Sequence, residues 1–265
     1  MLCFRGSRLD KEMDFLFQAY IIFLSAVLGL VFGSFCNAWA WRIVPHENIS
    51  KGRSHCAVCG HELAAKDLVP LFSWLFLKGK CRYCGKPISK RYPAAELVLG
   101  LYFVSVTLVY GLSWDCLRLL ILGCLLLVCS LTDLDTMELP DPLLIAAAAA
   151  ALLRLTEPGG WKSALIGGVA VSVPLLLFVL AADRFLGKES MGGGDIKLVA
   201  VLGLHFGPGR TFFLLILACI IGIAAAKISG KKKGTAFPFG PALALSAWVT
   251  ALAGTPVIRW YTGLF

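Results

Sequence analysis

Charged residues are scarce in this sequence. Asp, Glu, Lys and Arg make up 15% of the 265 residues, whereas a typical soluble domain has about 25%. Several runs of about 20 residues contain almost none of these four types, and a helix of that length can cross a hydrocarbon core of about 30 Å. Stretches such as 143–153 and 164–182 also lack a polar face. This argues against a soluble core built from amphipathic helices.

Several functional signatures are also missing. The apolar run from near Phe15 to Ile43 is too long for a secretory signal core and ends without a small-x-small cleavage site, so it predicts a retained membrane helix. The sequence has no G-x-S-x-G nucleophile elbow and no H-E-x-x-H metal motif. No basic-aromatic platform is visible either, which argues against a nucleic-acid partner.

We predict an all-α polytopic membrane protein with about eight transmembrane helices. The predicted spans lie at about 15–41, 93–112, 116–132, 142–156, 163–183, 195–208, 211–228 and 238–254. With eight spans both termini share a side, and the opposite side carries 17 of the 25 Lys and Arg residues. The positive-inside rule makes that richer side cytoplasmic and puts both termini outside. The net charge of +9 then reflects this topology and favours contact with anionic lipid headgroups of the bilayer.

Three regions follow from this topology. Residues 1–43 contain the first helix, 44–93 form a small cytoplasmic insert between helices 1 and 2, and 94–265 form the remaining membrane core. The insert contains two C-x-x-C pairs separated by 21 residues: Cys56, Cys59, Cys81 and Cys84. Two such knuckles can supply four thiolates to one structural Zn²⁺ in a zinc-ribbon-like arrangement. Two disulfides or a redox dithiol are the alternatives, although a reducing cytoplasm disfavours disulfides.

Carboxylates stand at two predicted membrane boundaries on the cytoplasmic side. Asp133, Asp135 and Asp141 follow the third span, and Asp195 opens the sixth. Carboxylates near hydrocarbon are candidates for function. Two facing carboxyl groups can share a proton, so that one acts as a base toward water while the other acts as an acid toward a peptide carbonyl.

The residues around Asp195 suit such a site. Gly192 and Gly194 would allow close approach of backbone or substrate. Lys197 could bias the charge of the site or extend to lipid headgroups. The alternative for both acidic clusters is that they are solvated loop residues and a helix N-cap. Asp133 and Asp135 point about 200° apart on a helix, so only one of them can face Asp195.

Together these segments resemble the bifunctional type IV prepilin peptidases over nearly the whole chain. The resemblance is carried by 33–37, by the four knuckle cysteines, by 67–75, 82–83 and 91–93, by 139–141, by the G-x-G-D-x-K pattern at 192–197 and by 237–241. In that family, the residue matching Asp133 is the first catalytic aspartate and the residue matching Asp195 is the second.

The resemblance implies two activities. One is cleavage of the leader peptide of prepilins and pseudopilins after a glycine, at the cytoplasmic face of the bacterial inner membrane. The other is N-methylation of the new N-terminal residue with S-adenosylmethionine, whose binding residues the sequence does not identify because it has no glycine-rich fingerprint for this cofactor. A non-catalytic assembly or transport protein, with a zinc docking module and an intramembrane aspartate as ion relay, is the alternative function.

Overall fold

The structure is a computed structural model, and it describes residues 8–44, 53–156, 160–187, 191–230 and 237–263. Within these ranges the chain is helical and contains no β-strand, only two isolated β-bridges. Residues 45–52 of the predicted insert lie outside the described part of the chain.

Nine α-helices are described. They are α1 (Arg8–Ile43), α2 (Phe72–Phe76), α3 (Arg91–Tyr110), α4 (Trp114–Thr136), α5 (Asp141–Ala150), α6 (Gly160–Leu186), α7 (Gly193–Phe206), α8 (Pro208–Ile228) and α9 (Gly240–Thr262). A 3₁₀ turn at Ala65–Asp67 precedes α2, and a second one at Ala151–Thr156 continues α5. Helical structure therefore occupies each of the eight segments where the sequence predicts a span.

Six of these helices, α1, α3, α4, α6, α8 and α9, are long and apolar enough to cross a membrane. The chain is thus a multi-pass membrane protein. Among the described helices of the membrane core, α5 and α7 are shorter, with 10 and 14 residues. The sequence already marks the α7 segment as the shortest of the predicted spans.

Local sequence explains where the central helices begin and end. The Ser113 hydroxyl caps α4 by accepting a hydrogen bond from the Cys116 amide at 3.1 Å. Met137 ends α4 in a left-handed conformation (φ 57°, ψ 28°). Pro142 in the first turn of α5 fits there because those amides have no helical partner. Gly207 (φ 76°) separates α7 from α8.

The described chain divides into two compact units, with the boundary inside α1. The first contains the chain up to Ser34 together with Arg53–Gly111. In it, α1 and α3 approach so closely that a Cβ on Gly29 would lie 2.7 Å from the Cα of Gly100. A Cβ on Gly33 would lie 2.6 Å from the Cα of Glu96. Glycine is therefore required at this helix contact.

The second unit contains Phe35–Gly52 and Leu112–Phe265. Its helices α6 and α7 also meet through glycines, because a Cβ on Gly203 would lie 2.2 Å from the carbonyl oxygen of Gly167. Small residues at such crossings are typical of membrane helix packing.

A buried polar cluster ties three helices of the second unit together. Arg118 of α4 forms an ion pair with Asp115 and donates to the carbonyl oxygen of His205 on α7 at 2.8 Å. The His205 ring lies 3.1 Å from Arg118 through Nδ1 and 2.8 Å from the Ala147 carbonyl oxygen of α5 through Nε2. An Nε2–H tautomer satisfies both contacts, since Nδ1 then accepts from the guanidinium. Arg118 and His205 are both buried.

Candidate functional site

The two C-x-x-C pairs adopt the same local structure. In the first, the Gly60 amide donates to the Cys56 carbonyl at 2.8 Å; in the second, the Gly85 amide donates to the Cys81 carbonyl at 2.9 Å. Both glycines have φ of +69°, a conformation that other residues adopt only with strain. An isolated antiparallel bridge flanks each pair, His55–Glu62 and Lys80–Pro87.

The four cysteine sulfurs form one cluster that could hold a metal ion. The Sγ atoms of Cys56, Cys59, Cys81 and Cys84 all lie within 4.8 Å of one another. The Cys56 and Cys84 sulfurs are 3.9 Å apart, close to the roughly 3.8 Å that a tetrahedral site with Zn–S bonds of about 2.3 Å requires. All four cysteines are free thiols, so the predicted disulfide alternative does not describe this structure.

Backbone hydrogen bonds favour the thiolate form of Cys56. Hydrogen bonds from the backbone of Cys59 and Val58 lower the pKa of the Cys56 thiol to about 6. A deprotonated sulfur is the form that binds a metal.

Asp67 connects the second knuckle to the 3₁₀ turn. Its carboxylate accepts from Arg82 Nε at 2.6 Å, from the Tyr83 hydroxyl at 3.0 Å and from the Ala64 amide at 3.3 Å. Burial raises the pKa of Asp67, but the hydrogen bonds from Arg82 and Tyr83 outweigh it and hold the pKa below its ordinary value. The Tyr83 ring also stacks on His61 beside the first knuckle, with ring centroids 3.7 Å apart. This network joins both knuckles through side chains.

Four acidic residues of the second unit, Asp133, Glu138, Asp141 and Asp195, line a cavity of about 470 Å³. Asp133 comes from the last turn of α4 and Asp195 from the first turn of α7, and both line this cavity. They are close enough for their charges to interact. The remaining wall is formed by the segment that links α4 to α5, by the glycines before Asp195 and by Lys197.

Asp133 is held by the backbone of a third helix. Its Oδ2 accepts a hydrogen bond from the Gly240 amide at 2.7 Å, at the start of α9. The contact requires glycine, because a Cβ on Gly240 would lie 2.8 Å from this oxygen and 3.2 Å from the Asp133 Cβ. The Asp133 residue is only 5% exposed. The carboxylate is therefore fixed in one orientation toward the cavity.

Asp195 has a different environment. Its Oδ1 is buried and has no hydrogen-bond partner among the described residues. A buried carboxylate oxygen without a donor is costly if the group is ionised. The two aspartates of the cavity thus differ in their hydrogen bonding, since one has a fixed donor and the other has an unsatisfied oxygen.

The other predicted residues occupy distinct positions. Asp135 is exposed and does not line the cavity. Lys197 Nζ donates to Asp141 Oδ1 at 2.7 Å, and both side chains are more than half exposed. The two predicted roles of Lys197, biasing the charge of the site or extending to headgroups, both stay predictions. Gly192 and Gly194 line the cavity, and a Cβ on Gly194 would lie 3.1 Å from Leu139 Cβ.

Gly240 is the site residue that sequence reasoning did not single out. It lies in the 237–241 motif, but nothing in that motif indicates which side chain its backbone meets. The pairing joins residues 107 positions apart, and no local pattern carries that information.

Two family models match successive parts of the chain. The family described as Bacterial Peptidase A24 N-terminal domain matches residues 27–110, and the Type IV leader peptidase family matches residues 120–226. No solved structure gives a significant match to the chain.

Similar curated proteins cover most of the chain. A prepilin leader peptidase/N-methyltransferase from Aeromonas hydrophila is 37% identical over 224 residues, which is 82% of this chain and 77% of that protein. The proteins of the same name from Neisseria gonorrhoeae and Bacillus subtilis (strain 168) are each 35% identical. They cover 89% of this chain, and the match spans 92% and 95% of their own lengths. At this identity and coverage, the chain belongs to the type IV leader peptidase family.

Proposed function

We propose that this chain cleaves the leader peptide of prepilins and pseudopilins and then N-methylates the new N-terminal residue, the two activities in the names of its relatives. Family membership makes the chain a protease and a methyltransferase. The observation that best supports the cleavage mechanism is the meeting of Asp133 and Asp195, from distant helices, in one cavity.

The different surroundings of the two aspartates suggest different roles. The hydrogen bond from the Gly240 amide stabilises the carboxylate form of Asp133. Asp133 would therefore be the ionised member of the pair and take a proton from the attacking water. The buried Oδ1 of Asp195 has no partner within the described part of the chain, which favours the protonated form, and Asp195 would donate to the carbonyl oxygen of the scissile peptide. Proton transfer to the leaving amine then completes cleavage, and the proton shared by the pair is restored for the next turnover.

The cavity position also supports eight membrane passes. Asp133 ends α4 and Asp195 begins α7 at the same end of the helices, and the spanning helix α6 lies between them in the chain. We therefore infer one more crossing between α4 and α6. Helix α5 and its 3₁₀ extension are about 27 Å long from 10 and 6 residues, which is nearly enough to cross.

Helix α7 would form the remaining short pass. Its C-terminus lies at the end of the bundle opposite the aspartates, since Arg154 after α5 donates both to the Leu204 carbonyl and to Ser163 near the start of α6. With eight passes, the side richer in Lys and Arg carries the insert and the aspartate cavity. This supports a cytoplasmic site in the bacterial inner membrane with both termini outside.

The cysteine cluster supports the proposal of a structural zinc ion in the insert. Four thiolates suit Zn²⁺ and complete its shell, so the ion would stabilise the insert rather than take part in cleavage. S-adenosylmethionine would enter as the second substrate and methylate the new amine. We assign none of the described residues to its binding. The small insert is the part of the chain that we expect to organise methylation.

Full-length enzyme in proteoliposomes, incubated with a prepilin peptide, tests the cleavage mechanism. Asp133→Asn and Asp195→Asn should each reduce cleavage at least 1,000-fold, whereas the matched control Asp135→Asn should cleave normally. Mass spectrometry of the product N-terminus reports cleavage and methylation together. A pre-cleaved peptide should still be methylated by both Asn variants, which would show that they are folded.

The same experiment addresses the alternative of a non-catalytic transport or assembly protein. That function predicts no proteolysis of any single-span substrate and transport sensitive to Asp195 alone. Normal cleavage by both Asn variants would reject the two-aspartate mechanism.

A further inference from the structure

The metal-binding insert exposes an apolar surface on and just before α2. Five large apolar residues within nine positions are 42% to 80% exposed: Leu68, Val69, Phe72, Leu75 and Phe76. A soluble domain rarely exposes consecutive large side chains without a partner.

Helix α2 directs this surface to one side. Phe72, Leu75 and Phe76 are spaced i, i+3 and i+4, so they share a face. Trp74 points to the other side, where its Nε1 donates to the Ile88 carbonyl at 3.3 Å. The exposed face is therefore not a loosely packed core, because the inward position of the same helix is already filled.

A hydrogen bond to the membrane helix α3 fixes where α2 lies along the axis of that helix. The Leu71 amide, at the start of α2, donates to the Glu96 carboxylate of α3 at 2.6 Å. Glu96 is buried and is the sixth residue of α3, so it lies about 8 Å along the helix axis from the first residue. Helix α3 has 20 residues, which reach about 30 Å and are all needed to cross. Glu96 thus lies about 8 Å inside the edge of the hydrocarbon, a depth to which interfacial helices bury their apolar face.

The backbone at Leu71 indicates that this position is built for the contact. Leu71 has φ of 62° and ψ of −51°, and the Phe72 amide donates to the Pro70 carbonyl across it at 2.6 Å. This is a γ-turn of the rare, strained kind. A leucine holds such a conformation only where its surroundings enforce it, and the Glu96 carboxylate does so here.

The net charge of the insert complements an anionic surface. Between residues 53 and 92 the sequence has eight basic and two acidic residues. An excess of basic residues together with exposed aromatic residues is the composition of an interfacial membrane-binding element.

We propose that residues 68–76 form an interfacial anchor, whose aromatic face enters the headgroup region of an anionic bilayer and holds the metal-binding insert at the membrane surface. The anchor rests on α3 spanning the membrane and not on the aspartate mechanism, so either can fail without the other. An apolar protein partner on the same face is the competing occupant, and the experiment distinguishes the two.

The test uses the full chain in nanodiscs of phosphatidylethanolamine and phosphatidylglycerol. A genetically encoded p-benzoylphenylalanine replaces Phe76 in one sample. It replaces Glu62, an exposed charged residue of the insert with a side chain 63% exposed, in a second. A third sample carries it at Ile220, which is 59% exposed on the spanning helix α8, as the lipid-facing reference. Zinc content and cleavage are measured for each variant.

After irradiation, mass spectrometry counts phospholipid adducts. We expect adduct yield at Phe76 within about threefold of Ile220 and at least fivefold above Glu62. A yield at Phe76 no higher than at Glu62 would overturn the proposal. Adducts of Phe76 with polypeptide in place of lipid would overturn it as well and would favour the protein partner.

Discussion

Replacing Gly240 by alanine tests how the cavity orients Asp133. The new Cβ would lie 2.8 Å from Asp133 Oδ2 and 3.2 Å from its Cβ, closer than ordinary van der Waals contact at about 3.4 Å or more. The carboxylate must then move by about half an ångström, and the 2.7 Å hydrogen bond from the Gly240 amide is lengthened or lost.

The size of the effect follows from that hydrogen bond. A hydrogen bond to a charged group contributes about 1.5–3 kcal/mol, and each 1.36 kcal/mol in the barrier changes the rate tenfold. Gly240→Ala should therefore lower the kcat of cleavage by about 10- to 150-fold. Because the substrate helix does not depend on this bond, KM should change little.

The assay is steady-state cleavage of a prepilin peptide by full-length enzyme in proteoliposomes. Gly209→Ala is the matched control, since a Cβ there would meet only Ile258 Cδ1 at 3.8 Å. Methylation of a pre-cleaved peptide reports whether the variant is folded. A kcat within twofold of the unchanged enzyme would show that Asp133 needs no support from Gly240, and the proposed base role would lose its structural basis.

Three further predictions concern stability and the insert. Gly203→Ala should destabilise the membrane core by about 1–3 kcal/mol, because its Cβ meets the Gly167 carbonyl oxygen at 2.2 Å. Gly168→Ala should cost less, since its closest contact is the flexible Leu204 side chain at 2.9 Å and the Ala200 carbonyl oxygen lies at an ordinary 3.4 Å; equal melting temperatures for the two variants would contradict this. Asp67→Asn should speed proteolysis of the insert equally at pH 7 and pH 5. The folded pKa of this carboxyl lies below its ordinary 3.8, so its contribution is present above that pH and is lost only as pH falls further; a difference that fades by pH 5 would refute this. Removing the metal with a chelator should reduce methylation at least tenfold more than cleavage, as read from the product N-terminus, and an equal loss of both would argue against a methylation role for the insert.

Much of the fold can be predicted from the sequence because it depends on contiguous segments of the chain. Runs of apolar residues predict helices where α1 and α3 to α9 are found, although not the short α2 of the insert, and the paired C-x-x-C spacing predicts that four thiols converge. Both patterns depend only on neighbours in the chain. The number of membrane passes is harder to predict, since α5 and α7 are too short to be recognised as membrane-spanning by length alone.

The site shows where local patterns stop being informative. Helical geometry requires that only one of Asp133 and Asp135 face the second aspartate, but it does not choose between them. The choice of Asp133 came from the family resemblance, and the structure has that residue at the cavity wall with Asp135 exposed. Its catalytic role stays a prediction. The support from Gly240 could not be predicted, because it depends on how α9 packs against α4.

The Arg118–His205 cluster restricts how the protein could open to admit a substrate. Both side chains are buried at the end of α7 away from Asp195, and the His205 ring contacts Arg118 of α4 and the Ala147 carbonyl of α5. A shift of α7 along its axis by one helical turn, about 5.4 Å, would break both contacts and leave the buried imidazole without its partners, which is costly away from water. Asp195 is therefore mounted on a helix whose axial register is locked. We therefore expect a transmembrane substrate to enter without an axial shift of α7.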